Sequence, residues 1–463
     1  MTGAFLLAQA LLPHGFAQNV RVEIADGRFT AVEPGAAVAP GTERIAGLAL
    51  PGVPNLHCHA FQRGMAGLAE RRGPASDSFW TWREVMYRFL ARLTPDDAEA
   101  IAAFAYMQML ERGFTAVAEF HYLHHDIDGR PYADLGEMAG RMAAAAHATG
   151  IGLTLLPSLY GHGGFGGAPP VEGQRRFLND PDRFARLVAR SREIVAAVPG
   201  GTVGVAPHSL RAVTPETLRA AIALAPGGPI HIHAAEQVKE VEDCVAWSGR
   251  PPVAWLLDEM PVDEHWVLIH TTHTTPDETV RLARAGAVAG LCPLTEASLG
   301  DGIFDGARYL ETSGRFGIGT DSNIDIDPAG ELRQLEYSQR LAHRARNVMA
   351  TAEGESTGRR LLGEALAGGA QALGQPIGAI AVGRRADFVV LDTTYPDLAA
   401  VAGDATGGRS TDRLIDLWLF VAGREAVGTV MAGGEIVVRD GHHRARDAIT
   451  ARYLATLRRI LAA

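Results

Sequence analysis

Two histidines separated by one residue, His57 and His59, are the side chains whose type and spacing most directly suggest chemistry. In an extended chain, residues i and i+2 point to the same face. Both imidazoles can therefore approach one point while Cys58 faces the opposite way. Two such nitrogens at the end of a strand can begin a divalent metal site. A lone His-x-His is more often two unrelated histidines, so this interpretation depends on the rest of the chain.

Polar and metal-capable side chains recur further along the chain, each time at or just after the end of a short apolar segment. They are Glu119 and His121, His208 and Arg211, His233 and Glu236, His270 and His273, and Asp321. Chance would scatter such residues, whereas a common active site would place them at the ends of successive strands. The pattern therefore predicts that these ends meet.

The apolar segments are the elements that must position these residues. Eight of them are short and rich in β-branched residues: 48–56, 114–120, 151–157, 202–206, 228–233, 266–270, 286–291 and 316–320. Amphipathic stretches such as 98–112 and 180–197 lie between them. This alternation predicts an α/β fold, a (β/α)8 TIM barrel whose chemistry lies at the carboxyl ends of the strands. We interpret residues 45–50 as part of the buried strand that leads into His57.

Both ends of the chain have a different, purely β-like character. Short β-like runs fill residues 1–48, with a hairpin signal at Ala25-Asp26-Gly27-Arg28, and similar runs recur late in the chain. The N-terminal piece is too small to form a sheet with its own core, so it needs the late strands as partners. We predict one small β-sandwich domain from residues 1–48 plus 381–445, a catalytic barrel over 49–380, and a C-terminal helix over 446–463.

Composition excludes several classes of function. The chain has 463 residues, 47% of them hydrophobic, which is ample for a large core. A net charge of −10 does not favour nucleic acid or an acidic membrane as a partner. The three cysteines are far apart, which indicates a reducing compartment and a cytoplasmic location. No apolar run is long enough to span a membrane, and the N-terminus is a poor signal peptide.

Taken together, the motifs resemble the deaminase type of the amidohydrolase superfamily. The match consists of His-x-His on strand 1, His-x-x-Glu on strand 5, a histidine on strand 6 and an aspartate on strand 8. The resemblance implies four metal ligands: His57, His59, His233 and Asp321. No lysine stands at the end of strand 4, so it implies one metal ion per chain. Three imidazoles and a carboxylate suit zinc or ferrous iron, and we predict zinc.

His231 is the competing ligand, because it shares a strand face with His233. We favour His233, which lies nearer the end of the strand and forms the His-x-x-Glu motif with Glu236. We interpret His231 as a core histidine.

Within that superfamily, the sequence is similar to the formimidoylglutamate deiminase family. The stretches that carry this similarity are 55–63, 79–84, 119–122, 206–211 and 231–237. The resemblance implies hydrolysis of N-formimino-L-glutamate to N-formyl-L-glutamate and ammonia, a step of histidine degradation. It also implies a homodimer whose small-molecule substrate is a dicarboxylate.

The resemblance assigns roles to individual residues. Asp321 would take a proton from the attacking water with help from His270, and Glu236 would carry a proton to the leaving nitrogen. The implied substrate-binding residues are Gln62, Arg83, Tyr122, His208 and Arg211. The two arginines can each engage one carboxylate through paired hydrogen bonds. Trp80 and Trp82 are interpreted as packing around Arg83.

Two alternatives remain open at this point. The first is a different deaminase of the same superfamily, acting on guanine, an adenosine-like base or a triazine; a neutral base would not need the two arginines. The second is a barrel without metal that serves as a scaffold, against which the complete ligand set argues. Metal analysis of the purified protein separates the scaffold from the enzymes.

Overall fold

The computed structural model describes residues 2–37, 41–73, 77–402 and 408–462. The strands are β1 (Thr2–Leu12), β2 (Gly15–Ala25), β3 (Arg28–Glu33), β4 (Glu43–Pro51), β5 (Val53–Cys58), β6 (Phe114–His121), β7 (Gly152–Leu159), β8 (Thr202–Val203), β9 (Ala206–Pro207), β10 (Ile230–Ala234), β11 (Trp266–His270), β12 (Val288–Leu291), β13 (Arg315–Ile318), β14 (Phe388–Leu391), β15 (Val427–Ala432), β16 (Glu435–Arg439) and β17 (His442–His443).

The helices alternate with the strands through the middle of the chain. They are α1 (Phe79–Leu90), α2 (Pro95–Arg112), α3 (Glu137–Thr149), α4 (Pro181–Val195), α5 (Pro215–Ile222), α6 (Val238–Ser248), α7 (Pro252–Glu259), α8 (Pro276–Arg284), α9 (Pro293–Leu299), α10 (Gly306–Glu311), α11 (Pro328–His343), α12 (Thr357–Leu373), α13 (Pro396–Ala402), α14 (Gly408–Leu417) and α15 (Arg446–Ala462). None of these helices, within the part of the chain described, is long and apolar enough to cross a membrane.

The central strands form a closed parallel barrel. One sheet has the order β5-β6-β7-β8, with β9 also paired to β7, and a second has the order β10-β11-β12-β13. Isolated parallel bridges join the two sheets at both edges: Val205 with Ile230, Ser209 with His233, and Cys58 with Asp321. The predicted (β/α)8 barrel is confirmed, and the carboxyl ends of all its strands face one side of the molecule.

The two ends of the chain share one mixed sheet, in the order β17-β16-β15-β14-β4-β1-β2-β3. Asp26 and Gly27 turn the hairpin between β2 and β3 with φ angles of 49° and 73°, as a two-residue hairpin turn requires. The side chains that pack this sheet, including Val20, Phe388 and Met431, form a hydrophobic cluster separate from that of the barrel. The exact domain boundaries stay a prediction.

The interpretation of residues 45–50 as part of the first barrel strand is wrong. They lie in β4, which pairs with β1 and β14 of the terminal sheet, and the barrel strand begins only at Val53. A strand that has neighbours on both sides and is covered on both faces does not alternate polar and apolar residues. The continuous apolar run therefore hides the point where one sheet ends and the next begins.

The segment between β14 and β15 is also different from its neighbours, because it is helical. Leu398 of α13, Leu414 of α14 and the following Trp418 belong to the hydrophobic cluster of the barrel. This part of the range 381–445 thus packs with the barrel helices.

Three helices that follow barrel elements begin at a threonine–proline pair. Thr94, Thr214 and Thr275 each accept a hydrogen bond from the backbone N–H three residues later, at the starts of α2, α5 and α8. Proline in the first turn loses no hydrogen bond and already has a helical φ. These caps define where each preceding loop ends and the helix begins.

Candidate active site

Four side chains converge at the carboxyl ends of strands β5, β10 and β13. His57 Nε2 lies 3.2 Å from His233 Nε2 and 3.3 Å from Asp321 Oδ1. His59 Nε2 lies 3.4 Å from the same oxygen. All four residues are buried. The structure thus brings together the four ligands that the resemblance implied, with their donor atoms directed at one another.

The second ring nitrogens of two histidines are held by backbone carbonyls. His59 Nδ1 lies 2.8 Å from the Phe120 oxygen, and His233 Nδ1 lies 2.8 Å from the His208 oxygen. A carbonyl only accepts hydrogen bonds, so each Nδ1 carries the proton and each Nε2 keeps its lone pair. Burial lowers the pKa of His57 to about 3 and also lowers the pKa values of His59 and His233. Neutral imidazoles beside a carboxylate fit a divalent cation such as zinc or ferrous iron.

Asp321 is held in position by its own loop. Its φ is 41°, in the left-handed region that non-glycine residues rarely adopt, and such strain is typical of functional positions. Asn323 Nδ2 donates to the Asp321 and His59 carbonyls at 3.0 and 3.1 Å. Burial raises the pKa of Asp321, but His57 and His59 outweigh burial and hold that pKa well below its usual range. The loop therefore presents an ionised carboxylate to both imidazoles.

A row of charged side chains extends from this cluster. His270 Nε2 lies 3.9 Å from Glu236 Oε1, and Glu236 Oε2 lies 3.6 Å from Arg211 Nη2. Burial raises the pKa of Glu236 to about 7, against the lowering by His270 and Arg211. Burial lowers the pKa of His270, but Glu236 and Glu296 outweigh it and raise that pKa to about 10. A carboxyl group with a pKa near neutrality can both take and give a proton.

A pocket leads to this row and to the ligand cluster. Its lining contains all five predicted substrate-binding residues: Gln62, Arg83, Tyr122, His208 and Arg211. The same lining contains the rings of Phe79, Trp82, Tyr87, Tyr160 and Phe177. The pocket thus combines apolar walls with a few polar groups, as small-molecule sites do.

The two arginines of the pocket lie against aromatic rings. The guanidinium carbon of Arg83 is 4.8 Å from the Trp80 ring centroid, and that of Arg211 is 5.8 Å from the same ring. Both Nε atoms are buried without a hydrogen-bond partner among the described residues. A buried donor without a partner costs free energy unless a ligand supplies an acceptor. Each guanidinium group therefore has an Nε–H that an anion could accept, and Arg211 also faces Glu236 through Nη2.

The polar groups opposite the arginines are neutral. Gln62 Nε2 donates to the Tyr122 hydroxyl at 2.8 Å, while Gln62 Oε1 is buried without a partner in the part of the chain described. His208 lies with its ring centroid 4.6 Å from that of Tyr160, and burial lowers its pKa well below the ordinary value. These groups can orient a substrate by hydrogen bonds without adding charge.

Two observations separate the neighbouring histidines from the site. His231 Nε2 lies 2.9 Å from the Ala372 carbonyl, so this imidazole is bound to the barrel core and does not face the ligand cluster. His273 is absent from the pocket lining. The predicted preference for His233 over His231 agrees with this placement.

Sequence reasoning missed two residues of the site. Glu296 lies 3.2 Å from His270 Nδ1, and Asn323 ties the Asp321 loop to strand β5. The sequence carries a signal for Glu296, because this carboxylate closely follows the end of the seventh barrel strand. Asn323 gave no signal, since its hydrogen bond to the His59 carbonyl joins positions 264 residues apart.

Comparisons with known proteins identify the family of the chain. The model of the Amidohydrolase family matches residues 48–437, and that of Formimidoylglutamate deiminase HutF, N-terminal domain, matches residues 6–46. The formimidoylglutamate deiminase of Pseudomonas aeruginosa is 52% identical over 99% of both chains. A crystal structure of an amidohydrolase from Brucella melitensis has a TM-score of 0.93 and 52% identity, and the match covers 99% of this chain and 100% of that chain.

A solved structure with lower sequence identity has a similar fold. The adenosine deaminase from Xanthomonas campestris, solved with bound zinc, has a TM-score of 0.80 at 21% identity. That match covers 99% of this chain and 98% of that chain. At this identity the likeness concerns the fold alone.

Proposed function

Since this chain belongs to the amidohydrolase family and, within it, to the formimidoylglutamate deiminases, we propose that it hydrolyses N-formimino-L-glutamate to N-formyl-L-glutamate and ammonia. The predicted family and enzyme class, a hydrolase acting on a C–N bond, are confirmed. The observation that supports this substrate is the pair of half-buried arginines, Arg83 and Arg211, in the pocket of a protein with net charge −10. We place the reaction in histidine degradation.

We further propose that His57, His59, His233 and Asp321 hold one zinc ion, for which iron is the alternative. The Nε2 atoms of the three histidines and the ionised carboxylate of Asp321, all close to one another, support this set. A bound ion of this kind acts as a Lewis acid and lowers the pKa of water toward neutrality.

We expect the purified enzyme to contain about one divalent ion per chain, and removal of that ion to abolish turnover. His233→Asn should lose the metal, whereas His231→Asn, on the same strand but bound to Ala372, should keep it. Elemental analysis of both variants and of the wild type measures this. Two tightly held ions per chain, both needed for activity, would refute the single-metal proposal.

The reaction adds one water across the formimino group. The water oxygen bonds to the formimino carbon, the bond from that carbon to the terminal nitrogen breaks, and ammonia leaves. Asp321 Oδ2 makes no hydrogen bond to a described residue, so this oxygen can accept a proton from the water. Glu236, with its pKa raised by burial to about 7, carries a proton to the departing nitrogen.

The pocket must hold a substrate with two carboxylates against the charge of the protein. Long-range attraction cannot help, because both partners are negative, so local cations must supply the recognition. We propose that Arg83 and Arg211 each bind one carboxylate. Gln62, Tyr122 and His208 then orient the rest of the substrate, with Gln62 Oε1 as an acceptor for an N–H group.

Replacing either arginine should weaken use of the substrate far more than it affects the metal. Arg83→Ala and Arg211→Ala should each lower kcat/KM by about 30-fold to several thousand-fold, because loss of one partner of a buried charge pair costs about 2–5 kcal/mol. A lysine keeps the charge but loses the paired donors, so Arg→Lys should also weaken use of the substrate. The measurement is kcat/KM for each variant with the substrate and with its monoamide.

The matched control is Arg88→Ala, an exposed arginine on the same helix as Arg83. It should behave as the wild type with both compounds. For the monoamide that lacks the matching carboxylate, the arginine substitutions should lower kcat/KM far less. If both variants have the wild-type kcat/KM for both compounds, the arginines do not recognise carboxylates. The proposal of a dicarboxylate substrate is then refuted.

The experiment that tests the proposed function follows the products of the reaction. The purified holoenzyme is incubated with N-formimino-L-glutamate, and ammonia and N-formyl-L-glutamate are quantified by an enzymatic assay and by NMR. We expect the two products in equal amounts. Formation of glutamate and formamide instead would show that the other C–N bond breaks.

A further inference from the structure

Glu296 is a buried carboxylate behind the catalytic histidine, and neither the family resemblance nor the proposed mechanism uses it. It lies on α9, directly after the seventh barrel strand β12, and is 6% exposed. Its Oε1 accepts the backbone N–H of Cys292 at 2.9 Å, which ties the side chain to the end of the strand. The same oxygen lies 3.2 Å from His270 Nδ1.

This contact determines which way the His270 ring faces. A carboxylate oxygen accepts, so Nδ1 must donate its proton to Glu296, and Nε2 is then directed at Glu236. The imidazole therefore lies between two carboxylates, 3.2 Å from one and 3.9 Å from the other. Among the described residues, Glu296 is the hydrogen-bond partner of the His270 side chain.

The backbone of His270 is in an unusual conformation. Its φ is 71° and that of Thr271 is 49°, so the chain turns sharply where β11 ends. A left-handed non-glycine residue persists only when its surroundings hold it in place. The contact with Glu296 holds the His270 ring in one orientation on this turn.

We propose that Glu296 is a positioning residue for the reaction, which fixes the orientation of the His270 ring so that Nε2 faces Glu236. The proposal rests on the proposed function only for its kinetic readout. Groups that orient a functional imidazole typically contribute about 10-fold to 100-fold to activity. We expect Glu296→Gln to lower kcat by about that factor, with KM changed less than about threefold and the metal content unchanged.

A double substitution distinguishes this role from a structural one. If Glu296 acts through His270, then adding Glu296→Gln to a His270→Asn variant should change kcat less than about twofold, because coupled residues are not additive. Glu331→Gln is the matched control: Glu331 is buried, accepts the Leu294 N–H at 2.8 Å and makes no contact with His270. It should leave kcat near the wild-type value.

A spectroscopic measurement tests the same inference without any substrate. In holoenzyme labelled with 15N-histidine, we expect a protected Nδ1–H resonance that disappears in His270→Asn. This resonance should be lost or strongly shifted in Glu296→Ala and unchanged in Glu331→Gln. Glu296 does not position His270 if Glu296→Ala leaves the resonance in place. The same conclusion follows if Glu296→Gln lowers kcat by the same factor in the His270→Asn variant as in the wild type. If the wild type does not release ammonia, the proposed function is refuted. The NMR experiment still tests the positioning role of Glu296, because it needs no substrate.

Discussion

Replacement of Asp321 by asparagine is expected to reduce turnover by roughly a thousandfold or more, because a metal ligand and a proton acceptor are lost together. The oxygen Oδ1 is the atom that lies within 3.4 Å of both His57 and His59. An amide keeps the shape of the side chain but supplies no negative charge to a cation. The measurement is kcat by ammonia release, with metal content determined on the same samples.

The matched control for this substitution is Asp327→Asn. Asp327 is a buried carboxylate in the same loop, and it accepts the Ala329 N–H at the start of α11. Asparagine caps a helix nearly as well as aspartate, so this variant should keep its metal and its turnover. Wild-type kcat in Asp321→Asn with full metal content would contradict both roles of Asp321.

Glu236→Gln is expected to keep the metal and the fold but to lose most of its turnover. The amide matches the carboxylate in size, yet it cannot pass a proton, and general acid–base groups supply roughly two to four orders of magnitude. Each order corresponds to about 1.4 kcal/mol of barrier. The measurement compares kcat, metal content and thermal midpoint of the variant with those of the wild type.

Glu240→Gln provides the comparison. Glu240 is a buried carboxylate one helical turn further on, and its Oε2 accepts the Glu236 N–H at 3.0 Å. A glutamine oxygen can still accept that bond, so the loss should be far smaller than for Glu236→Gln. Near-normal turnover of Glu236→Gln would end its proposed role in proton transfer. Loss of the metal in that variant would mean that Glu236 is a ligand.

The parts of the site that the sequence predicted are those at the ends of parallel strands. His57, His233 and Asp321 follow apolar runs, and the barrel brings the carboxyl ends of such runs to one side. Local chain direction and side-chain alternation therefore suffice to place them. The structure brings these side chains together within hydrogen-bond distances.

What the sequence could not predict depends on contacts between distant segments. The boundary between β4 and the barrel strand cannot be read from the sequence, because the buried second half of β4 and the following barrel strand form one apolar run. Glu296 and Asn323 act through a neighbouring side chain or carbonyl, and such contacts leave no periodic pattern. The pairing of Gln62 with Tyr122 is of the same kind, since it joins a short 3-10 helix to a strand end.

A comparison of substrates under identical conditions tests whether the enzyme is specific for N-formimino-L-glutamate. The purified enzyme, its metal content known, is assayed for ammonia release from N-formimino-L-glutamate, N-formimino-L-aspartate, guanine and adenosine. We predict that kcat/KM is highest for N-formimino-L-glutamate and exceeds the values for the two neutral bases by about 100-fold or more, since only a dicarboxylate engages both Arg83 and Arg211. Faster release of ammonia from guanine or adenosine would contradict the account.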